Sequence, residues 1–186
     1  MNFKIYLLFC LLSTSLTSSF AEAQTAWEQL FQSTFYNSSV YVENHCTENV
    51  LRYLRMARAK GLDISKVEAI ELTDYLDFVT GHNVRTDNLD KSSNWYHHVI
   101  LKVGNTILDY DFTNQPTPAP LYTYFHSMFM NERMKKDKEY CLKRMRSLKL
   151  TIFTGSDYLK RYDDKIHSDR LNKKETYIKD TGWICR

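Results

Sequence analysis

The sequence predicts an α+β fold, helices first and antiparallel strands after. Two early segments carry apolar residues at helical spacing, two β-rich runs then flank a Gly-Asn turn, and a third β-rich run follows a later helical stretch. Trp27, Leu30, Phe31 and Phe35 give the first helix, about residues 26 to 35. After the polar break Asn37-Ser38-Ser39, Asn44-His45-Cys46-Thr47-Glu48-Asn49 leads into Val50, Leu51, Leu54, Met56 and Ala57, a run of good helix formers that stops at Gly61. Cys46 therefore belongs on the first turn of a buried helix, where unpaired N–H groups and the helix dipole favour a thiolate. Val67 to Leu72 alternates as a strand, and residues 73 to 94 read as polar and irregular. Trp95 to Val103 and Thr106 to Phe112, around Gly104-Asn105, predict a hairpin. Pro116, Pro118 and Pro120 end it in an extended loop. Leu121 to Met130 and residues 131 to 147 look helical, Leu148 to Phe153 is a further strand, and Asp157 to Tyr162 a short helix.

Residues 1–23 read as an export signal. Lys4 precedes the apolar run Ile5 to Leu12, then come a Ser/Thr stretch and Ala21-Glu22-Ala23 as a small-x-small cleavage site. The apolar run is shorter than the roughly 20 residues that a membrane span needs. The expectation is a secreted or periplasmic protein whose residues 24–186 form one catalytic domain without a membrane anchor. A formal charge of +3, with both signs interspersed, gives no footprint for nucleic acid. The basic stretch from Arg133 to Lys149 reads as a solvated helix face.

Cys10 leaves with the signal, so three cysteines remain: Cys46, Cys141 and Cys185. In an oxidising compartment an odd number implies a free thiol or an intermolecular bond. The economical assignment joins Cys141 to Cys185 and leaves Cys46 free.

Hairpin arithmetic then supplies partners for that thiol. If Gly104 and Asn105 form the turn, opposed residues sum to 209, so Val103 meets Thr106 and His98 faces Asp111. His98, Ile100, Lys102, Ile107, Asp109 and Asp111 share one face; Val99, Leu101, Val103, Leu108, Tyr110 and Phe112 form a hydrophobic core face, and His97 points away from His98. A carboxylate beside a histidine fixes its tautomer and stabilises its imidazolium. With a helix-start cysteine, this makes a set for nucleophilic attack on a carbonyl. No metal or organic cofactor is called for: His97 and His98 are adjacent, and no Cys-x-x-Cys spacing exists for zinc.

At these residues the chain resembles the N-terminal glutamine amidohydrolases and, more loosely, the secreted protein-glutaminases, both with papain- or transglutaminase-like cores. His45-Cys46-Thr47-Glu48-Asn49-Val50 is similar to the family's aromatic-Cys-Glu-Glu-Asn-aliphatic nucleophile motif. Trp95-Tyr96-His97-His98-Val99-Ile100-Leu101 is similar to its Trp-Asp-Tyr-His-Val-Val-Leu motif, and Ile107-Leu108-Asp109-Tyr110-Asp111 to its Ile-Tyr-Asp-Leu-Asp segment. The Pro-rich loop with Tyr122-Thr123-Tyr124 and the segment Ser156 to Lys160 also resemble the family, so the likeness spans about Tyr36 to Tyr162. It implies a helix carrying Cys46 packed on an antiparallel sheet carrying His98 and Asp109 as catalytic residues. Asp111, His97, Glu48 and Asn49 fall beside them, and Trp95, Tyr96 and the Pro116 to Tyr124 loop are candidates for the cleft wall. Geometry places Asp111 opposite His98, whereas the resemblance favours Asp109 as the orienting carboxylate, with Asp111 behind it. Tyr96-His97 replaces the family's Asp-Tyr.

The implied reaction is deamidation of glutamine in a peptide or protein substrate. Cys46 attacks the side-chain carboxamide, His98 protonates the departing ammonia, and His98 then activates water against the γ-glutamyl thioester. The alternatives are proteolysis or acyl transfer by the same triad, or a secreted binding module whose cysteine is structural.

Overall fold

A computed structural model of the chain describes residues 24–73, 79–81 and 93–186, with the backbone alone at 79–81 and 93–95. The export signal expected at 1–23 lies outside the described residues. In chain order the elements are α1 (24–34), α2 (Cys46–Ala59), a 3-10 turn (Ile64–Lys66), β1 (Glu68–Thr73), β2 (Val79–Gly81), β3 (Ser93–Trp95), β4 (His97–Val103), β5 (Thr106–Leu108) and β6 (Ala119–Pro120). Then follow α3 (Leu121–Phe129), α4 (Glu132–Lys136), α5 (Lys138–Arg144), β7 (Lys149–Thr154), α6 (Gly155–Asp163) and β8 (Lys173–Tyr177).

The fold is α+β, with an antiparallel sheet in the order β6-β5-β4-β1-β7-β8. β2 and β3 pair separately, so part of the segment read as irregular is a short ladder, Val79 opposite Trp95 and Gly81 opposite Ser93. The hairpin register matches the arithmetic over three pairs: Val103 with Thr106, Lys102 with Ile107 and Leu101 with Leu108. Beyond Leu108 the ladder stops, because the chain turns there: Phe112 N–H donates to Asp109 O at 3.3 Å.

Both faces of the sheet are covered. On one, Ala69, Val99, Leu101, Val103, Leu108, Tyr110 and Phe153 pack with Trp27, Phe31, Phe35, Tyr53 and Leu54 of the N-terminal helical region and Tyr158 of α6. On the other, Ile70, Leu72, Ile100, Ile107, Leu150 and Ile152 pack with Tyr124, Phe125, Met128 and Phe129 of α3 and with Ile178 and Ile184 of the C-terminal tail. One expectation is corrected: Phe112, placed on the face with Val99 and Leu101, joins the α3 cluster with Ile100 and Ile107, since the turn after Leu108 breaks strand alternation.

Local signals fix the ends of α2 and α6. Gly61, at φ +79°, stops α2 in a Schellman arrangement, with Gly61 N–H on Arg58 O and Leu62 N–H on Ala57 O, both at 3.0 Å. Thr154 caps α6, accepting from Asp157 N–H at 3.0 Å. Gly155 then passes so close to the 3-10 turn that a Cβ there would lie 2.6 Å from Ile64 O and 2.8 Å from Val67 Cγ2. Gly155→Ala is accordingly expected to destabilise the fold by about 1–3 kcal/mol, read as a lower urea midpoint; an unchanged midpoint would show that the contact relaxes freely.

The stretch 131–147 is two helices, because Asp137 leaves helical geometry (φ −128°, ψ 97°) and its carboxylate caps α5 at Tyr140 N–H, 2.8 Å. Its Arg133, Lys135, Lys136, Lys138, Lys143 and Arg144 are exposed. α5 also carries Cys141, disulfide-bonded to Cys185 across a Cα–Cα distance of 5.6 Å; Cys46 is free. Among the described residues no helix is long and apolar enough to cross a membrane.

Candidate active site

Cys46 is the first residue of α2, and the chain before it is pinned by Asn49. The Asn49 amide, buried under the helix start, accepts from Val42 N–H at 2.9 Å and donates to Val42 O at 2.8 Å. This holds a tight turn in which His45 N–H meets Val42 O at 3.2 Å and Asn44 sits at φ 61°, a conformation that Asn tolerates better than most residues. The N-cap residue His45 makes no side-chain cap, so the first amides of α2 stay available to an anion, and a thiolate or oxyanion there gains from the helix dipole.

The thiol rests against β4. Its sulfur is 3.9 Å from the carbonyl oxygen of His97, that is, beside the peptide joining His97 to His98. His98 is fully buried, and its Nε2 donates to Asp109 Oδ2 at 3.0 Å. A carboxylate can only accept, so this contact places the proton on Nε2 and leaves Nδ1 as the acceptor or second donor. Asp109 is itself gripped: Tyr124 O–H of α3 donates to the same Oδ2 at 2.7 Å, and Asp111 N–H donates to Oδ1 at 2.9 Å. Asp109 rather than Asp111 therefore meets His98, because β5 ends before the straight register could bring Asp111 opposite. Asp111 stays buried nearby and accepts from Tyr41 O–H at 3.0 Å. A water-sized cavity of about 10 Å³ lies between Cys46, Asn49, Asp109 and Asp111.

Electrostatics follow from this packing. Burial alone pushes the Cys46 thiol up, but hydrogen bonding from His97 and His98 and the charge on both rings bring it down to about 6. Burial opposes the charged form of His98, yet the Asp109 carboxylate and the Cys46 thiolate hold it well above the ordinary imidazole range. Burial and the neighbouring Asp109 charge push Asp111 up to about 7, against the pull of His98 and Tyr41.

A second histidine–carboxylate pair also acts on the thiol. His97 Nε2 lies 3.6 Å from Glu71 Oε1 on β1, and Arg161 Nη1 of α6 donates to that same oxygen at 2.7 Å. Glu71 is held low: burial opposes its charge, but hydrogen bonds from His97 and Arg161 outweigh that.

The structure thus gathers Cys46, His98, Asp109, Asp111, His97 and Asn49. Glu48, on the first turn of α2, and Tyr96, 64% exposed, both face water beside the site. The Trp95 side chain lies outside the described residues. Sequence reasoning missed Glu71, Arg161 and Tyr41. Glu71 had a signal, a single acid between Ile70 and Leu72 in an apolar strand; Arg161 and Tyr41 had none, being ordinary residues on a helix and a loop.

One ligating atom each from His98, Asp109 and Asp111 lies within 4.8 Å of the others, a set that could hold a cation. A cation there would compete with the hydrogen bonds that already hold these groups, since Asp109 accepts from His98 and Tyr124 on Oδ2 and from Asp111 N–H on Oδ1. In chemical terms the site offers an ionised thiol, a buried imidazolium fixed by a carboxylate, and free helix-start amides. Such a set can attack an electrophilic carbonyl, hold the resulting oxyanion and protonate a leaving group. Compared with protein-family models and with curated proteins, the sequence matches none.

Proposed function

We propose that this protein is an exported cysteine amidohydrolase, built on a papain- or transglutaminase-like core, that deamidates glutamine side chains of peptides or proteins. The observation that carries the reading is the free Cys46 at the start of α2, its thiol lowered to about 6 beside the buried His98–Asp109 pair. At pH 7 such a thiol is ionised roughly ten to one. Its similarity to the four motifs of the glutamine amidohydrolases, in their order, supports glutamine as the substrate over other amides.

In the first half-reaction the Cys46 sulfur bonds to the carboxamide carbon. The oxygen becomes an oxyanion facing the first amides of α2, and the C–N bond breaks as an imidazolium beside the sulfur, that of His98, gives its proton to the leaving nitrogen. Ammonia departs and a γ-glutamyl thioester remains. In the second, water bonds to the acyl carbon while its proton passes to imidazole, the C–S bond breaks, and glutamate leaves with the thiolate restored.

The test is ammonia release from glutamine peptides, with chain length and chelator sensitivity followed together. The expected result is ammonia without cleavage, unaffected by a chelator. Chain cleavage would make the protein a protease, and amine incorporation an acyltransferase. Chelator-sensitive release would assign His98, Asp109 and Asp111 to a metal. Absence of ammonia from any glutamine peptide would overturn the reading.

A further inference from the structure

The reaction above leaves His97 idle, although the structure places it as deliberately as His98. Cys46 Sγ lies 3.9 Å from the carbonyl oxygen of His97, and the His97 and His98 side chains both act on the thiol through hydrogen bonding and charge. Each ring has its own carboxylate: Asp109 at 3.0 Å from His98 Nε2, and Glu71 at 3.6 Å from His97 Nε2. Glu71 reaches His97 diagonally across the β1–β4 ladder, in which Glu71 pairs with Val99 and Thr73 with His97. Arg161 fixes the Glu71 carboxylate from α6. The two pairs differ in access, for the His98 side chain is 0% exposed and that of His97 is 32% exposed.

We propose that His97, braced by Glu71 and Arg161, is a second catalytic acid–base residue of this site, sharing with His98 the ionisation of Cys46 and serving the proton transfers on the solvent side. The catalytic role rests on the amidohydrolase reading; the pairing with Cys46 does not. The groups that interact with the Cys46 charge are His97 and His98 from β4, Asp111 after β5, and Tyr124 from α3. Those facing His97 are Cys46 from α2 and Glu71 from β1, with Arg161 behind Glu71. The bond to Cys46 is the foremost cause that raises His97, to about 9, followed by the bond to Glu71, with burial working against them. Forming the thioester consumes the thiolate and removes that first cause. His97 therefore becomes a stronger acid as the C–N bond breaks, and its proton can pass to the leaving nitrogen in place of that of His98, which then stays an imidazolium. The neutral ring that remains can take a proton from the water attacking the acyl carbon, while the C–S electron pair returns to sulfur.

Two substrate-free measurements test the pairing. Iodoacetamide alkylation of Cys46 should rise through a midpoint of about 6 in the wild type. In His97→Gln the midpoint should move up by about one pH unit, so that alkylation near pH 6 falls several-fold, and Glu71→Gln should shift it the same way by less. In the wild type, NMR titration of the His97 ring should show its midpoint falling by about one unit or more once Cys46 is blocked as a methyl disulfide. That experiment needs no variant to fold. Profiles for His97→Gln that superimpose on wild type, or a His97 midpoint indifferent to the block, would overturn the proposal. With glutamine peptides, kcat of His97→Gln should fall about 10²-fold, and the acid limb of its pH profile should move with the alkylation midpoint. Shifted alkylation without ammonia release from the wild type would sink the amidohydrolase reading and leave the pairing standing; ammonia release with unmoved profiles would do the reverse.

Discussion

Asp109→Asn is expected to lower kcat for glutamine-peptide deamidation by roughly 10³–10⁴-fold while the protein stays folded. The carboxylate accepts from His98 Nε2 and Tyr124 O–H on one oxygen and from Asp111 N–H on the other. An amide of the same shape can keep only part of that set, and it no longer supplies the charge that holds His98 as an imidazolium. Asp111→Asn should cost far less activity, roughly tenfold or below, since Asp111 touches Tyr41 rather than His98. Steady-state kinetics of the two variants side by side decide the assignment. If Asp111→Asn is the more damaging, the orienting role belongs to Asp111.

The largest stability effect should come from the disulfide. Cys141 and Cys185 close a loop with a sequence separation of 44, for which chain entropy in the unfolded state gives about 4 kcal/mol. Both cysteines are buried in the α3-side cluster, so losing the bond also loosens the anchoring of the C-terminal tail, with its Trp183 and Ile184, against Phe125. Cys141→Ala with Cys185→Ala is expected to lower the urea unfolding midpoint by an amount equivalent to about 4 kcal/mol, with the Cys46 alkylation profile unchanged. An unaltered midpoint would show that packing alone fixes the tail.

The contrast between what was legible and what was not has a physical basis. The hairpin register could be read because Gly104-Asn105 sets the turn and strand alternation then propagates without choice. It failed at Asp109 because ladder termination depends on tertiary partners, here Tyr124 from a helix that follows in sequence. α2 was legible from its apolar spacing and Gly61, and with it the place of Cys46. β8 was not, since Lys173-Lys174-Glu175-Thr176-Tyr177 is an edge strand whose charges carry no alternation, and only pairing with β7 makes it a strand. That α3 covers the second face of the sheet was not legible, because α3 follows the hairpin in sequence and nothing local says which face it packs on. At the site, residues on one hairpin could be placed from the sequence. Glu71 and Arg161 could not, because only the sheet order sets β1 beside β4, and Arg161 reaches the site from α6 by its bond to Glu71.

The central claim is that Cys46 is the nucleophile of a glutamine deamidase. It is tested most directly by mass spectrometry of glutamine peptides, N-terminal and internal, incubated with wild type and with Cys46→Ala. The account predicts a gain of about one dalton per deamidated glutamine with the wild type, and none above background with Cys46→Ala. An equal gain with the variant, or no gain with the wild type on any glutamine peptide, would contradict it.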